Sequence, residues 1–99
     1  MKQAIMLSVN DNVATVLEKV AKGEEIEMKG TSQVGTIVAK EEIPFGHKIA
    51  VRDIRKKERI IKYDNKIGVA TADIATGQHV HIQNVASERT EIKEGGERA

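Results

Sequence analysis

Three histidines, His47, His79 and His81, are the side chains of this 99-residue chain that could move a proton or ligate a metal through imidazole near neutral pH. His79 and His81 stand two apart. Residues i and i+2 of a strand share a face, so both rings could meet one ion or one substrate, with His47 as a third ligand from elsewhere. Two exposed strand histidines would show the same spacing. A second unusual segment is Ile43-Pro44-Phe45-Gly46-His47-Lys48. Pro44 fixes one backbone angle, holds Ile43 extended, and with Gly46 makes a stiff corner carrying His47 and Lys48. When charged, both donate hydrogen bonds to an anion, although a purely structural turn would look similar. Asn84 could bond a hydroxyl-rich ligand or cap a turn. There is no phosphate-binding glycine loop, no nucleophile motif, and no cysteine for a thiolate site or disulfide.

Length and composition limit what can position these groups. The chain is long enough for one domain with a modest core, at 39% hydrophobic and 31% charged residues. No apolar run approaches the ~20 residues of a membrane span, and the N-terminus lacks the apolar stretch of a signal peptide, so the expectation is a cytoplasmic protein that does not engage membranes. A net charge of +1 argues against nucleic acid. The basic run Arg52, Arg55, Lys56, Lys57, Arg59, Lys62 and Lys66 lacks the stacking platforms of a single-strand binder, since Phe45 and Tyr63 are the only aromatics, and it reads as a solvated face.

Periodicity predicts a mainly β fold with one short helix. The helix is expected after an Asn10 or Asp11 cap, on Val13, Val16, Leu17 and Val20 at i, i+3, i+4, i+7, ending at Gly23. Strands are expected over 3–8, around Ile26 and Met28, and over 34–39, 48–54, 58–63, 67–70 and 79–85, with turns at 30–33 and 64–66. From Ala86 the chain is charged and is expected to be a mobile tail, giving a domain over 1–85 and a tail over 86–99. A weak repeat, an apolar anchor three residues before a turn and a strand three residues after it, recurs around Val20-Gly23, Ile54-Lys57 and Ile74-Gly77. Its unequal spacing predicts a compact β fold with several similar corners rather than a solenoid. Lys57 stands where the pattern wants glycine, which suits a turn of ordinary backbone angles.

The same segments resemble a known family. Ile43-Pro44-Phe45-Gly46-His47-Lys48-Ile49-Ala50, then Ile61-Lys62-Tyr63-Asp64-Asn65-Lys66-Ile67-Gly68-Val69-Ala70, then Gly77-Gln78-His79-Val80-His81-Ile82-Gln83-Asn84-Val85 are similar, in order, to the motifs of the SAF-like domain at the front of altronate and galactarate dehydratases. A separate small subunit of relatives such as sulfolactate sulfo-lyase is similar too. Asp11-Asn12-Val13-Ala14 also fits. Gln83 stands where the family commonly has a second histidine. The resemblance implies a single SAF-like (β-clip) domain acting as the small subunit of a hydro-lyase on a sugar acid or related hydroxy acid by β-elimination. It implies a large catalytic subunit as partner, and a divalent metal, typically iron, held mainly by that subunit. On this chain it implies His81 for proton transfer, His47, Lys48, Gln83 and Asn84 for the substrate, and His79 and His81 for any metal contact. A non-catalytic β-clip module binding a carbohydrate or a protein is the alternative, and a small β-rich domain is also expected to form homo-oligomers.

Overall fold

The computed structural model describes residues 1–30 and 35–87. Nine strands occur among the described residues: β1 (Lys2–Ile5), β2 (Val13–Val16), β3 (Glu25–Lys29), β4 (Thr36–Val38), β5 (Lys48–Ala50), β6 (Arg59–Lys62), β7 (Asn65–Ala70), β8 (His79–Val80) and β9 (Val85–Ala86). They form a six-stranded sheet in the order β4-β3-β1-β2-β5-β8 and a three-stranded sheet in the order β6-β7-β9. All of these pairs are antiparallel except β1–β3. Ala4, Met6, Val16, Ile26, Ile43 and Ile49 lead one buried cluster inside the larger sheet. Val13, Ala50, Ile54, Ile60, Ile74 and Val80 lead a second one where the two sheets meet. The expected turn at 31–33, Val34 and the tail from 88 lie outside the described residues.

No helix occurs among the described residues. The segment expected to be helical is instead β2 followed by a turn and an isolated bridge at Val20. The helical spacing is coincidental: Val13, Ala14 and Val16 are buried, as on a strand covered on both faces, whereas Leu17 is 43% exposed. Neither Asn10 nor Asp11 is a cap: the exposed Asn10 donates through Nδ2 to Asp64 Oδ1 (3.1 Å), and Asp11 is buried beside Asn12, both reaching the β6–β7 hairpin. The Ile61 amide donates to Asn12 Oδ1 (2.7 Å) and Asn12 Nδ2 donates to the Arg59 carbonyl (2.8 Å), while the Asp64 amide donates to Asp11 Oδ1 (2.7 Å). These long-range bonds outweigh the local capping option that such residues offer.

The expected corners are present, and there is one more than the repeat suggested. In four segments, 20–24, 43–47, 54–58 and 74–78, an apolar anchor leads into a four-residue turn. The third turn residue has positive φ: Gly23 (90°), Gly46 (81°), Lys57 (79°) and Gly77 (94°). Lys57 therefore adopts the left-handed conformation instead of ordinary angles. The corners pair off. Val20 and Ile43 exchange backbone hydrogen bonds, as do Ile54 and Ile74. The pairs Gly23–Ala39 with Ala39–Glu24, and Lys57–Ala70 with Ala70–Glu58, repeat one pattern in both halves of the chain. Each half runs corner, hairpin (β3–β4 or β6–β7), corner, strand (β5 or β8). The Lys40 amide donates to the Gly77 carbonyl (2.8 Å), tying the end of β4 to the corner that precedes β8.

Two glycine experiments follow from this wiring. A Cβ at Gly77 would drive into the Val38 carbonyl oxygen as well as meet the left-handed penalty, whereas a Cβ at Gly23 meets nothing within 4 Å. Urea unfolding should show Gly77→Ala losing ~2–4 kcal/mol, against ~1–2 kcal/mol for Gly23→Ala. Lys57→Gly should gain up to ~1 kcal/mol, because the left-handed strain removed exceeds the entropy glycine adds to the unfolded chain.

Candidate functional site

The antiparallel pair β5–β8 carries the site. Its register sets Lys48 opposite Val80 and Ile49 opposite His79. His47 closes the 43–47 corner one residue before β5, and His81 follows β8 directly, so the three imidazoles meet at one end of the pair. Their rings are half-buried and near parallel, with interplanar angles of 11–19°. The His47 and His81 centroids are 4.0 Å apart, and His47 Nδ1 lies 2.9 Å from His79 Nε2. His79 and His81 share a side as the i, i+2 argument requires, although β8 is much shorter than the expected strand over 79–85.

Neighbouring side chains fix these rings. Residues 81–84 form a turn, with the Asn84 amide donating to the His81 carbonyl (3.0 Å). Asn84 Oδ1 accepts from the His81 amide (2.9 Å), and its Nδ2 donates to the His79 carbonyl (2.8 Å), so both ends of its side chain hold the backbone of the two histidines. Gln83 Nε2 lies 3.2 Å from His79 Nδ1, so this side chain contacts the cluster. Glu41, which the sequence reading missed, accepts from the His79 amide through Oε2 (2.8 Å). No local signal marks Glu41, because it arrives from the far side of the 43–47 corner.

A cleft of about 200 Å³ opens beside the cluster. Ile60, Ile67, Val80, Ile82 and Val85 wall it, and Lys48 and His81 are its polar lining. Burial lowers the Lys48 amine below the usual lysine range, and the nearby Lys62 charge adds to this. His79 is lowered first by burial, then by the charges of His47, His81 and Lys48, against an opposing pull from Glu41. His81 is lowered first by burial, then by His47 and Lys48. Both rings are thereby biased towards the neutral form, which can take up a proton or ligate a metal.

The three imidazoles suit a metal as a donor set. One ring nitrogen from each lies within 4.8 Å of the other two, and imidazole serves zinc and iron alike. The near-parallel stack keeps the lone pairs in parallel planes, so the rings must turn about Cβ–Cγ before three nitrogens can point at one ion.

Comparison with known proteins gives the family. Residues 2–88 match the model of the altronate/galactarate dehydratase SAF domain. The chain belongs to this family. It is 37% identical over 93 residues to altronate dehydratase of Bacillus subtilis (strain 168), covering 94% of this chain and 18% of that protein. Altronate dehydratase of Escherichia coli (strain K12) is 37% identical over 90 residues, covering 91% of this chain and 17% of the relative. The (2R)-sulfolactate sulfo-lyase subunit alpha of Chromohalobacter salexigens is 46% identical over 50 residues, half of this chain and 53% of that subunit. This SAF domain thus spans less than a fifth of the altronate dehydratases it matches. It is an all-β fold, and no helix among its described residues is long and apolar enough to cross a membrane.

The depressed imidazoles have a consequence for stability. Below pH 6.5 the unfolded chain binds protons that the folded His79 and His81 still refuse, so stability is full above that pH and falls as pH drops through the lowered folded values. In the presence of a chelator, urea midpoints should decline from pH 7.5 to pH 5, and the ring protons of both histidines should titrate below 6.5 by NMR. His79→Gln should flatten the decline. Midpoints that rise on acidification would contradict the assignment.

Proposed function

We propose that this SAF domain is the small subunit of a hydro-lyase acting on a sugar acid or related hydroxy acid by β-elimination, and that its site is completed by a separate large subunit. The observation that carries the reading is the convergence of His47, His79, His81 and Lys48 on one end of β5–β8, beside a cleft too small to work alone. Closed ligand sites usually measure roughly 300–1,000 Å³, so a cleft of about 200 Å³ open to solvent suits one wall of a shared site. The relatives support the division: one carries about five times this length in a single chain, and another is named a subunit alpha.

In such an elimination a base removes the proton α to the carboxylate, the C–O bond at the β carbon breaks, and the departing hydroxyl leaves as water once an acid protonates it. His81, lining the cleft with a ring biased towards neutrality, is the group to carry that proton. In this reading Lys48, which lines the cleft, and His47 beside it hold the carboxylate, on which charge builds as the α proton leaves. Asn84 holds the backbone of His79 and His81, Gln83 contacts the His79 ring, and both are read here as hydrogen-bonding partners of the substrate. A divalent metal, iron in this reading, would be held mainly by the large subunit with His79 and His81 within reach, and would polarise the carboxylate or the leaving hydroxyl as a Lewis acid.

The test is co-expression of this chain with the large family lyase from the same genome, followed by iron-dependent dehydration assays on a panel of sugar acids. A stoichiometric complex should form, and His81→Ala should lower kcat by roughly 10²–10⁴-fold while leaving the complex intact. Activity of the large protein that is indifferent to this chain would overturn the reading. Sugar-acid binding by this chain alone, without turnover in any complex, would make it a binding module instead.

A further inference from the structure

The four corners are built alike except in one respect. In three of them the last turn residue folds its side chain back onto the amide of the first. The Ala21 amide donates to Glu24 Oε1 (2.7 Å), the Arg55 amide to Glu58 Oε1 (2.5 Å) and the Ala75 amide to Gln78 Oε1 (2.6 Å). Each side chain thereby satisfies a backbone donor that the turn would otherwise leave without a protein partner. The turn over 81–84 does the same with a shorter side chain, the His81 amide donating to Asn84 Oδ1 (2.9 Å). An Nδ1 sits as many bonds from its backbone as an Oδ1, so a histidine in the last position of such a turn could accept this bond as well.

The 43–47 corner has the same backbone closure, the His47 amide donating to the Pro44 carbonyl (3.0 Å), and the same left-handed third residue. Its first residue, however, is Pro44, which has no N–H to offer. His47 Nδ1 lies instead 2.9 Å from His79 Nε2, and its ring stacks on His81.

We propose that Pro44 is a positioning residue: by removing the one donor that would recruit the side chain at position 47, it releases His47 from turn capping and delivers its imidazole to His79 and His81. The inference rests on reading the imidazole cluster as the working site, but its test needs no turnover, so it can fail while the lyase reading stands, and the reverse. Restoring an N–H at position 44 sets up a competition for His47 Nδ1 between the amide and His79.

The experiment is a pair of thermodynamic cycles with NMR of the histidine rings, on the full chain in chelator. In Pro44→Ala, the amide restored at position 44 should be protected from exchange, and the ring nitrogen signals of His47 and His79 should move. The effect of His47→Gln on the folding equilibrium constant should then be more favourable by roughly three- to tenfold in the Pro44→Ala background than in the native one, since glutamine is the cap used at Gln78 and only the restored amide can use it. A restored amide that exchanges freely, with unmoved ring signals and the same His47→Gln effect in both backgrounds, would reduce Pro44 to a stiffener and overturn the proposal. If Pro44→Ala does not fold, the mirror cycle decides. Gln78→Ala should lower the folding equilibrium constant by roughly three- to tenfold in the native chain and have little effect once Ala75→Pro has removed the matching donor. An equal loss in both backgrounds would refute the release argument.

Discussion

A corner that reverses the chain over four residues leaves a backbone donor facing away from any strand, and that donor must find an acceptor. In this SAF domain the need is met locally and repeatedly. A left-handed third residue sets the bend, and a side chain from the last position returns to bond the first amide. The hairpins β3–β4 and β6–β7 leave from such corners, the buried anchors Val20, Ile43, Ile54 and Ile74 sit at their entrances, and β5 and β8 emerge from them. The site is a by-product of this regularity broken once. Where the amide is missing, the side chain that would have held the corner turns to a neighbouring strand.

The two sheets are held together by a different device. Asn12 pairs with β6 through its own amide and its side chain, and Val51 donates back to the Asn12 carbonyl (3.0 Å). A buried side-chain amide can replace one rung of a β ladder because it carries a donor and an acceptor in the same arrangement as the backbone. Asp11 completes the junction by accepting from the Asp64 amide, which supports a hairpin tip where Tyr63 and Asp64 both adopt positive φ. The hairpin so held supplies Ile60 and Ile67 to the cleft beside His81. Asp11, which looked like a helix cap, and its neighbour Asn12 are therefore what place two apolar walls of the site.

Local pattern carried much of the fold and of the site. Alternation placed β3, and the apolar runs on either side of the turn read at 64–66 placed β6 and β7 within a residue or two. The i, i+2 spacing put His79 and His81 on one side, and the Pro44–Gly46 corner marked His47 and Lys48. What escaped depends on contacts between residues far apart in the chain. Val13 to Val20 has both helical spacing and β-branched content, and only the burial of β2 between β1 and β5 decides between them. The left-handed turn at Lys57 was hidden because a residue with a side chain normally avoids it, and here the duplicated hydrogen-bond pattern imposes it. Glu41 and the apolar walls of the cleft become neighbours of the histidines only once both sheets have formed.

β8 lies at the margin of the larger sheet, where a strand normally offers unpaired backbone groups to any passing chain. Here the outward amide of His79 is already bonded to Glu41 and its carbonyl to Asn84. This margin is therefore a poor template for β-augmentation or for the strand-to-strand stacking that seeds aggregates. A macromolecule approaching from this side meets imidazoles and an amine rather than a bare backbone, so recognition across it depends on side-chain chemistry and shape.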